Sequence, residues 1–275
     1  MMSEKHETHF WFYLIGTAIS IIALVPFLWM ISTSFKSNGA LLALPIEWIP
    51  KKPTFESYSK LFQLSGFLSS SFNSLFVAVL SVSVGLLSAS AAAFAFAKLR
   101  FKGKDLLFMV FIASLMIPSQ VSFIPLYLIM NNLRLTNKLI ALVVPCVFKA
   151  FAVFMLRQQI MSIPDAYMDA ASLDGASLGK TFFRIILPMC RTSLVTLAII
   201  LFMDSWNDYL LPLVLMTSKE HFTLPILLNS LSGEFKTSFN LLMAGSLLSM
   251  IPILIVYVCS QKYFSNGLQV GGIKG

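Results

Sequence analysis

Four long stretches of this chain contain no charged side chain, and they limit what it can fold into. They lack Asp, Glu, Lys and Arg altogether and cover residues 10–35, 61–97, 106–133 and 237–261. A helix that crosses a bilayer needs about 20 consecutive apolar residues, which each stretch can supply. Only 12% of the 275 residues are charged, against about 25% in an average soluble domain. The sequence therefore predicts an all-α, polytopic membrane protein surrounded by lipid.

Two further apolar segments contain isolated charges and complete a predicted set of six spans. One includes Lys149, and the other includes Asp204 and Asp208. The predicted spans, within a single transmembrane domain over 1–275, lie at about 10–33, 71–97, 106–130, 139–161, 192–216 and 240–262. The first is expected to be a retained helix, because its apolar run is too long for a cleaved signal peptide.

Basic residues in the short loops predict the orientation of the spans. Loop 98–105 has four basic residues and one acid, and loop 157–191 has four more basic residues. Lys and Arg are enriched in short cytoplasmic loops, so we expect both loops and both termini in the cytoplasm. The net charge of +8 fits this bias. The sequence has no cluster of basic residues interleaved with aromatics, so it predicts no nucleic-acid partner.

A polar segment between the fourth and fifth predicted spans favours a short helix outside the membrane. Pro164 suits the first turn of a helix, and Asp165 and Asp169 fall near that turn, where acids complement the helix dipole. Gly175 is a natural stop. The sequence therefore predicts a helix from about Pro164 to Asp174.

This helix lies in a loop, 162–191, that is predicted to meet another protein. Ala170 and Ala171 leave little side-chain bulk on one face, and a small, shallow knob of that kind could sit in a groove on a partner. Residues 176–184 are predicted to form a second short helix. The following residues that lead into the next span are Ile185, Leu187 and Pro188.

One motif in this loop suggests nucleotide binding but does not support it. Residues 175–181, GASLGKT, resemble a phosphate-binding P-loop with one residue too few between the glycines. A P-loop also follows a strand, whereas this segment follows a predicted helix. We therefore expect no nucleotide cofactor on this chain, and any ATP must be bound by a separate subunit.

The loop resembles the "EAA" cytoplasmic loop of binding-protein-dependent ABC importer permeases. The residues that match the pattern are Asp169, Ala170, Ala171, Asp174, Gly175, Ala176, Ile185, Leu187 and Pro188. Further segments are similar to the carbohydrate branch of that family, in particular to its smaller maltose-type permease subunit. They include PFLWMISTSFK at 26–36, IPSQVSFIPLY at 117–127, WNDYLLPLV at 206–214 and the tail GLQVGGIKG at 267–275.

The resemblance implies a MetI-like permease subunit that imports a sugar or oligosaccharide. It implies a second permease subunit, two ATP-binding subunits that use the ATP, and an extracellular solute-binding protein. The matched loop residues would couple the ATPases to the spans, and the C-terminal tail would contact the ATPase pair. Asp169 stands where the family usually has Glu, which shortens the reach of that carboxylate. A glycerol phosphate ester or another solute is the alternative within the class.

Ionisable residues within predicted spans are the candidates for a transport pathway, since such residues usually face a bundle interior or a cavity. Asp204 and Asp208 are four residues apart and lie on one helical face, and Lys149 is placed to reach Asp204. Trp206, Asn207 and Asp208 either line the pathway or hold spans together, and both interpretations stay open. Further candidates are Asn73, Gln120 and Asn240.

Rival classes find less support in the sequence. An ATP-independent carrier should show repeated halves or interrupted helices at matching positions, and neither is evident. A membrane enzyme needs a convergent constellation, but His6, His9 and His221 lie outside the predicted spans. Cys146, Cys190 and Cys259 have no metal-ligand spacing. We therefore expect no catalytic or metal site.

Overall fold

The computed structural model describes residues 3–37, 47–232 and 238–267, and all regular elements among them are helices. The all-α prediction is therefore confirmed for this part of the chain. The α-helices are α1 Ser3–Ser34, α2 Glu56–Gln63, α3 Phe67–Lys98, α4 Lys104–Ala113, α5 Phe123–Asn132, α6 Ile140–Val143, α7 Ala150–Met161, α8 Ala166–Leu173, α9 Leu178–Thr181, α10 Leu187–Met189, α11 Arg191–Trp206, α12 Leu210–Leu215, α13 Leu224–Ser230 and α14 Phe239–Gly267.

Three segments are single helices long and apolar enough to cross a membrane: Phe12–Ser34, Phe67–Lys98 and Phe239–Gln261. Three bent pairs meet the same criteria, which gives up to six spans if each pair is counted as one. The pairs are Lys104–Met116 with Ser119–Asn132 at 99°, Ile140–Phe148 with Ala150–Met161 at 41°, and Leu178–Met189 with Arg191–Trp206 at 81°.

These breaks correct one expectation from the sequence, namely that the helices are uninterrupted. Ile117 is extended, with φ −87° and ψ 118°, as expected for a residue that precedes a proline. Lys149 interrupts another helix with φ −83° and ψ 89°. Interrupted helices therefore do not separate this chain from carriers. The predicted span 192–216 also differs from the structure, because α11 ends at Trp206 and α12 is a separate helix.

The described residues of 68–226 and 252–275 form one compact unit. Its larger core packs α3, α7 and α11 together around Ala89, Ala93, Val153 and Leu197. Small residues on α3 allow this close approach: a Cβ on Gly85 would lie 3.2 Å from Leu201 Cδ1. The small residues Ser81, Gly85, Ala89, Ala93 and Ala97 recur every four positions along α3 and pack within this chain.

The described residues of 1–67 and 227–251 form a second unit, with a buried cation near the end of α1. Lys36 lies over the ring of Trp29, with its Nζ 4.0 Å from the ring centroid. Asn240 donates from Nδ2 to the Lys36 carbonyl at 3.2 Å. Asn240 is buried, so this pathway candidate has a structural hydrogen bond instead.

Candidate functional site

The short helix predicted in the 162–191 loop is present as α8, and its C-terminal end has a defined geometry. Gly175 has a φ of +71°, in the left-handed region where glycine is unstrained. Its N–H donates to the Ser172 carbonyl at 3.0 Å, and the Ala176 N–H donates to the Ala171 carbonyl at 2.9 Å. These two bonds form a Schellman motif. The helix end is therefore fixed by local chemistry.

One face of α8 packs against the core and the other is exposed. Ala171 is 4% exposed, and Met168 packs against the larger core cluster. Ala170 and Tyr167 lie on the open side, and Leu173 is 90% exposed. The sequence predicts that the two alanines share one surface, and this prediction is wrong. Only Ala170 belongs to the exposed face.

The rest of the predicted coupling set divides in the same way. Asp169, Asp174, Gly175 and Pro188 are exposed, whereas Ala176, Ile185 and Leu187 are half-buried. Leu187 packs against the larger core cluster. The exposed members supply a surface, and the half-buried members attach it to the bundle.

The second helix of the loop is longer than predicted. Ser177 begins it by accepting a hydrogen bond from the Lys180 N–H at 3.3 Å, and α9 then continues through a π-helical stretch, Phe182–Ile186, into α10. Ile186 is fully buried in the core. This run ends at Met189, where the chain bends by 81° into α11. The bend connects the loop directly to α11.

A buried lysine that the sequence analysis did not single out ties this loop to α3. Lys98, the last residue of α3, donates from Nζ to the Ile163 carbonyl at 2.5 Å and to Asp165 Oδ1 at 2.6 Å. The hydrogen bond from Lys98 and its positive charge lower the pKa of Asp165. We call this contact the Lys98 clamp.

A second candidate site is a cleft in which Lys149, Asp204 and Asp208 come together. Lys149 Nζ lies 4.0 Å from Asp204 Oδ2, so the predicted proximity of these two residues is confirmed. All three side chains line the cleft, together with Ser205 and Thr223. Asp208 Oδ1 also accepts from the Leu211 N–H at 3.3 Å, which holds the carboxylate at the start of α12. Lys149 and Asp208 both lie where a helix is interrupted.

Three of the predicted pathway residues are engaged elsewhere. Trp206 is buried and stacks on Phe202 with ring centroids 5.8 Å apart. Asn207 donates from Nδ2 to the Met203 carbonyl at 3.0 Å, within its own helix. Asn73 donates from Nδ2 to the carbonyls of Glu220 at 2.8 Å and Phe222 at 3.0 Å. These contacts favour structural roles for all three.

Thr223 also lines the cleft, and no pattern in the sequence indicates it. It follows Phe222, whose carbonyl is held by Asn73, and precedes Leu224, whose N–H donates to Ser74 Oγ at 2.7 Å. Its own Oγ1 is buried and has no hydrogen-bond partner in the described part of the chain. The contacts that place Thr223 in the cleft join residues 149 and 150 positions apart. No local sequence pattern encodes such contacts.

Broken spans around a polar cleft, together with an exposed loop helix, are features of a multi-pass membrane transport protein. The family model described as binding-protein-dependent transport system inner membrane component matches residues 81–270. The chain belongs to this family of ABC importer permeases. It is therefore a transport subunit that depends on a solute-binding protein, and ATP is hydrolysed by separate subunits of such importers.

The similarity to individual relatives extends over nearly the whole chain. The chain is 36% identical to the arabinooligosaccharides transport system permease protein AraQ of Halalkalibacterium halodurans, over 96% of each. It is 33% identical to the diacetylchitobiose uptake system permease protein DasC of Streptomyces coelicolor, over 95% of this chain and 96% of that one. A crystal structure of a bacterial ABC transporter involved in the import of the acidic polysaccharide alginate contains a chain of the same fold. That match has a TM-score of 0.86 and 22% identity, over 94% of this chain and 97% of the other.

Proposed function

We propose that this chain is the permease subunit of an ABC importer that carries a sugar or oligosaccharide. The observation that carries this proposal is the similarity, over nearly its full length, to permeases named for arabinooligosaccharides and diacetylchitobiose. Two different oligosaccharides recur among relatives that are more than 30% identical, whereas the fold alone does not specify a solute. An extracellular solute-binding protein delivers the saccharide.

The importer assembles from this chain, a second permease subunit and two ATP-binding subunits in the cell membrane. Both termini and the 162–191 loop face the cytoplasm, in keeping with the basic residues of the short loops. This chain holds no nucleotide, and ATP is bound and hydrolysed in the partner subunits.

The exposed face of α8 docks into a cleft of an ATP-binding subunit. Leu173, which is 90% exposed, and the neighbouring Tyr167 and Ala170 form its contact surface. Tyr167, Ala170 and Leu173 follow one another at intervals of three residues, so they lie along one side of α8, and a contiguous exposed apolar surface is typical of an interaction site. Asp169 and Asp174 border the same surface with negative charge.

Three attachments make α8 stiff enough to transmit movement. The Schellman motif at Gly175 fixes its end, Ala171 packs against the core, and the Lys98 clamp ties its start to α3. Coupling between two sites requires an element whose arrangement both sites bias. A rigid helix attached to α3 on one side and to α11 on the other is suited to this role.

Uptake in cells that express the complete importer, including its binding protein, tests the proposal. We expect accumulation of radiolabelled arabinooligosaccharide or diacetylchitobiose, and loss of accumulation when the ATPase subunit is inactivated. Import of a glycerol phosphate ester alone would contradict the saccharide assignment. Uptake that persists with an inactive ATPase would identify an ATP-independent carrier.

A further inference from the structure

We propose that the cleft lined by Lys149, Asp204, Asp208 and Thr223 contacts the solute and accepts uncharged polyhydroxyl groups while repelling anions. The inference rests on the proposed function and adds to it a subsite and a chemical class. All lining residues lie in one compact unit of the chain.

An unpaired buried hydroxyl is the first sign of a ligand at this cleft. Thr223 is 4% exposed, and its Oγ1 has no partner among the described residues. Buried polar groups are hydrogen-bonded in the large majority of cases, and an unpaired one requires an explanation. Thr223 lines the cleft, so a hydroxyl of a solute can supply the missing hydrogen bond.

The segment that carries this hydroxyl is fixed from both sides. Asn73 holds the Glu220 and Phe222 carbonyls, and Ser74 accepts from the Leu224 N–H at 2.7 Å. Both side chains project from α3, one of the long membrane-spanning helices. Thr223 is therefore held in place before any ligand arrives, which lowers the entropy lost on binding.

Two interrupted helices supply the charged residues of the cleft. Lys149 separates Ile140–Phe148 from Ala150–Met161, and Asp208 lies between α11 and α12. Non-helical backbone at membrane depth is tolerated where it is buried in protein or lines a water-filled cavity. Interrupted helices form the solute sites of many transporters, so both interruptions fit a place on the pathway.

The charges of the cleft select a chemical class. Lys149 offers an ammonium and the two aspartates offer carboxylates, so the charged lining residues sum to one net negative charge when both carboxylates are ionised. Carboxylates accept hydrogen bonds from sugar hydroxyls, and the ammonium and the Thr223 hydroxyl can donate in return. An anionic group would face the unbalanced carboxylate in a site of low dielectric. The cleft is thus suited to neutral saccharides and unsuited to a glycerol phosphate ester.

Thiol labelling measures this preference without the selectivity of the binding protein. In the assembled importer, with Cys146, Cys190 and Cys259 replaced by Ser, Thr223→Cys is treated with small cationic and anionic methanethiosulfonate reagents. Thr217→Cys, on an exposed position of the same connection, provides the intrinsic ratio of the two reagents. We expect the cationic preference at position 223 to exceed that at 217 by about tenfold, since a charged cleft raises local counter-ion concentration by at least this much.

Two further results complete the test. Asp208→Asn should bring the cationic preference at 223 close to the ratio at 217, and an arabinooligosaccharide that the importer carries should slow labelling at 223 but not at 217. Ser205→Cys, at another position that lines the cleft, serves as a second reporter if Thr223→Cys fails to assemble.

Equal ratios of the two reagents at positions 223 and 217, or no protection by an imported saccharide, would show a purely structural ion pair. That outcome would overturn the subsite and leave the saccharide importer intact. Failure of wild-type saccharide uptake would instead refute the proposed function.

Discussion

The buried ammonium of Lys98 lies 2.6 Å from the exposed carboxylate of Asp165. Only 6% of the Lys98 side chain is exposed, whereas 80% of the Asp165 side chain is. Lys98 ends α3, and Asp165 immediately precedes α8. The contact therefore joins the last residue of a membrane-spanning helix to the first turn of the proposed coupling helix, and the two partners should differ in importance.

Lys98→Met should destabilise the protein by about 1–3 kcal/mol. The substitution removes the Nζ donor of the Ile163 carbonyl, and Ile163 is buried. Asp165→Asn should be milder, since Lys98 keeps its bond to that carbonyl. The melting temperature of the purified complex measures both effects, and saccharide imported per ATP hydrolysed measures coupling. Equal losses in the two variants would contradict the asymmetry.

Acid should remove the contribution of Asp165. Lys98 lowers the pKa of this carboxyl below its ordinary value of 3.8. A lowered folded-state pKa adds stability above the ordinary value, and that stability is lost as the pH falls through the folded pKa. The melting-temperature difference between wild type and Asp165→Asn should therefore be constant from neutral pH to about pH 5 and vanish in stronger acid.

The control for this pH series is Asp169→Asn, which removes an exposed carboxylate one turn further along the chain. A wild-type advantage over Asp165→Asn that persists unchanged below pH 3.8 would show that the Lys98 contact does not depend on the ionised carboxylate.

Gly175 should tolerate substitution according to backbone preference rather than size. No atom lies within 4 Å of a Cβ built at Gly175, but its φ is +71°. Gly175→Ala should cost about 1–2 kcal/mol, Gly175→Val more because it is β-branched, and Gly175→Asn less because Asn adopts this conformation more readily. Saccharide uptake should fall in the same order, with ATP hydrolysis less affected.

Gly179→Ala is the matched control. Gly179 lies in α9, also has open space around its Cβ position, and has no left-handed φ. Alanine favours a helix by about 1 kcal/mol over glycine, so uptake should be unchanged. Uptake defects of the same size in Gly179→Ala and Gly175→Ala would refute the conformational explanation.

Arginine at the two neighbouring alanines of α8 should give different defects. Ala171 is buried, so Ala171→Arg should overpack the core. This should lower the free energy of unfolding by about 1–3 kcal/mol or more and reduce the amount of assembled protein. Ala170 is exposed, so Ala170→Arg should leave the permease folded but weaken capture of the ATP-binding subunits in a pull-down. A folded Ala170→Arg variant that captures the ATPases normally would argue against docking through this face.

The features that the sequence predicted depend on local chemistry. The length of the apolar stretches determines the membrane-spanning class, and the end of α8 follows from the αL preference of Gly175. Both inferences need only neighbours along the chain. Asp204 and Asp208 do line the same cleft, but the expectation that one helical face brings them together is wrong, because α11 ends at Trp206 and Asp208 lies beyond it.

The features that the sequence did not predict depend on contacts between distant segments. Lys98 and Asp165 are 67 positions apart, and Asn73 meets Phe222 across 149 positions. The small size of Ala171 predicts a place on the docking surface, but the same small size lets it pack in the core. Trp206 has a place on the pathway as one of its two interpretations, and the structure stacks it on Phe202.

Asn73 should affect transport through the position of Thr223. Asn73→Ala removes the donors to the Glu220 and Phe222 carbonyls, each worth about 1 kcal/mol, and so loosens the segment that carries the cleft hydroxyl. We expect the saccharide concentration for half-maximal uptake to rise several-fold, because about 1.4 kcal/mol corresponds to a factor of ten in an equilibrium constant. Basal ATP hydrolysis should be unchanged, because Asn73 and Lys98 lie near opposite ends of α3.

Asn131→Ala, at an exposed position, is the control for Asn73→Ala. An unaltered uptake curve for Asn73→Ala would separate the segment at 220–224 from solute handling and leave Asn73 a purely structural residue.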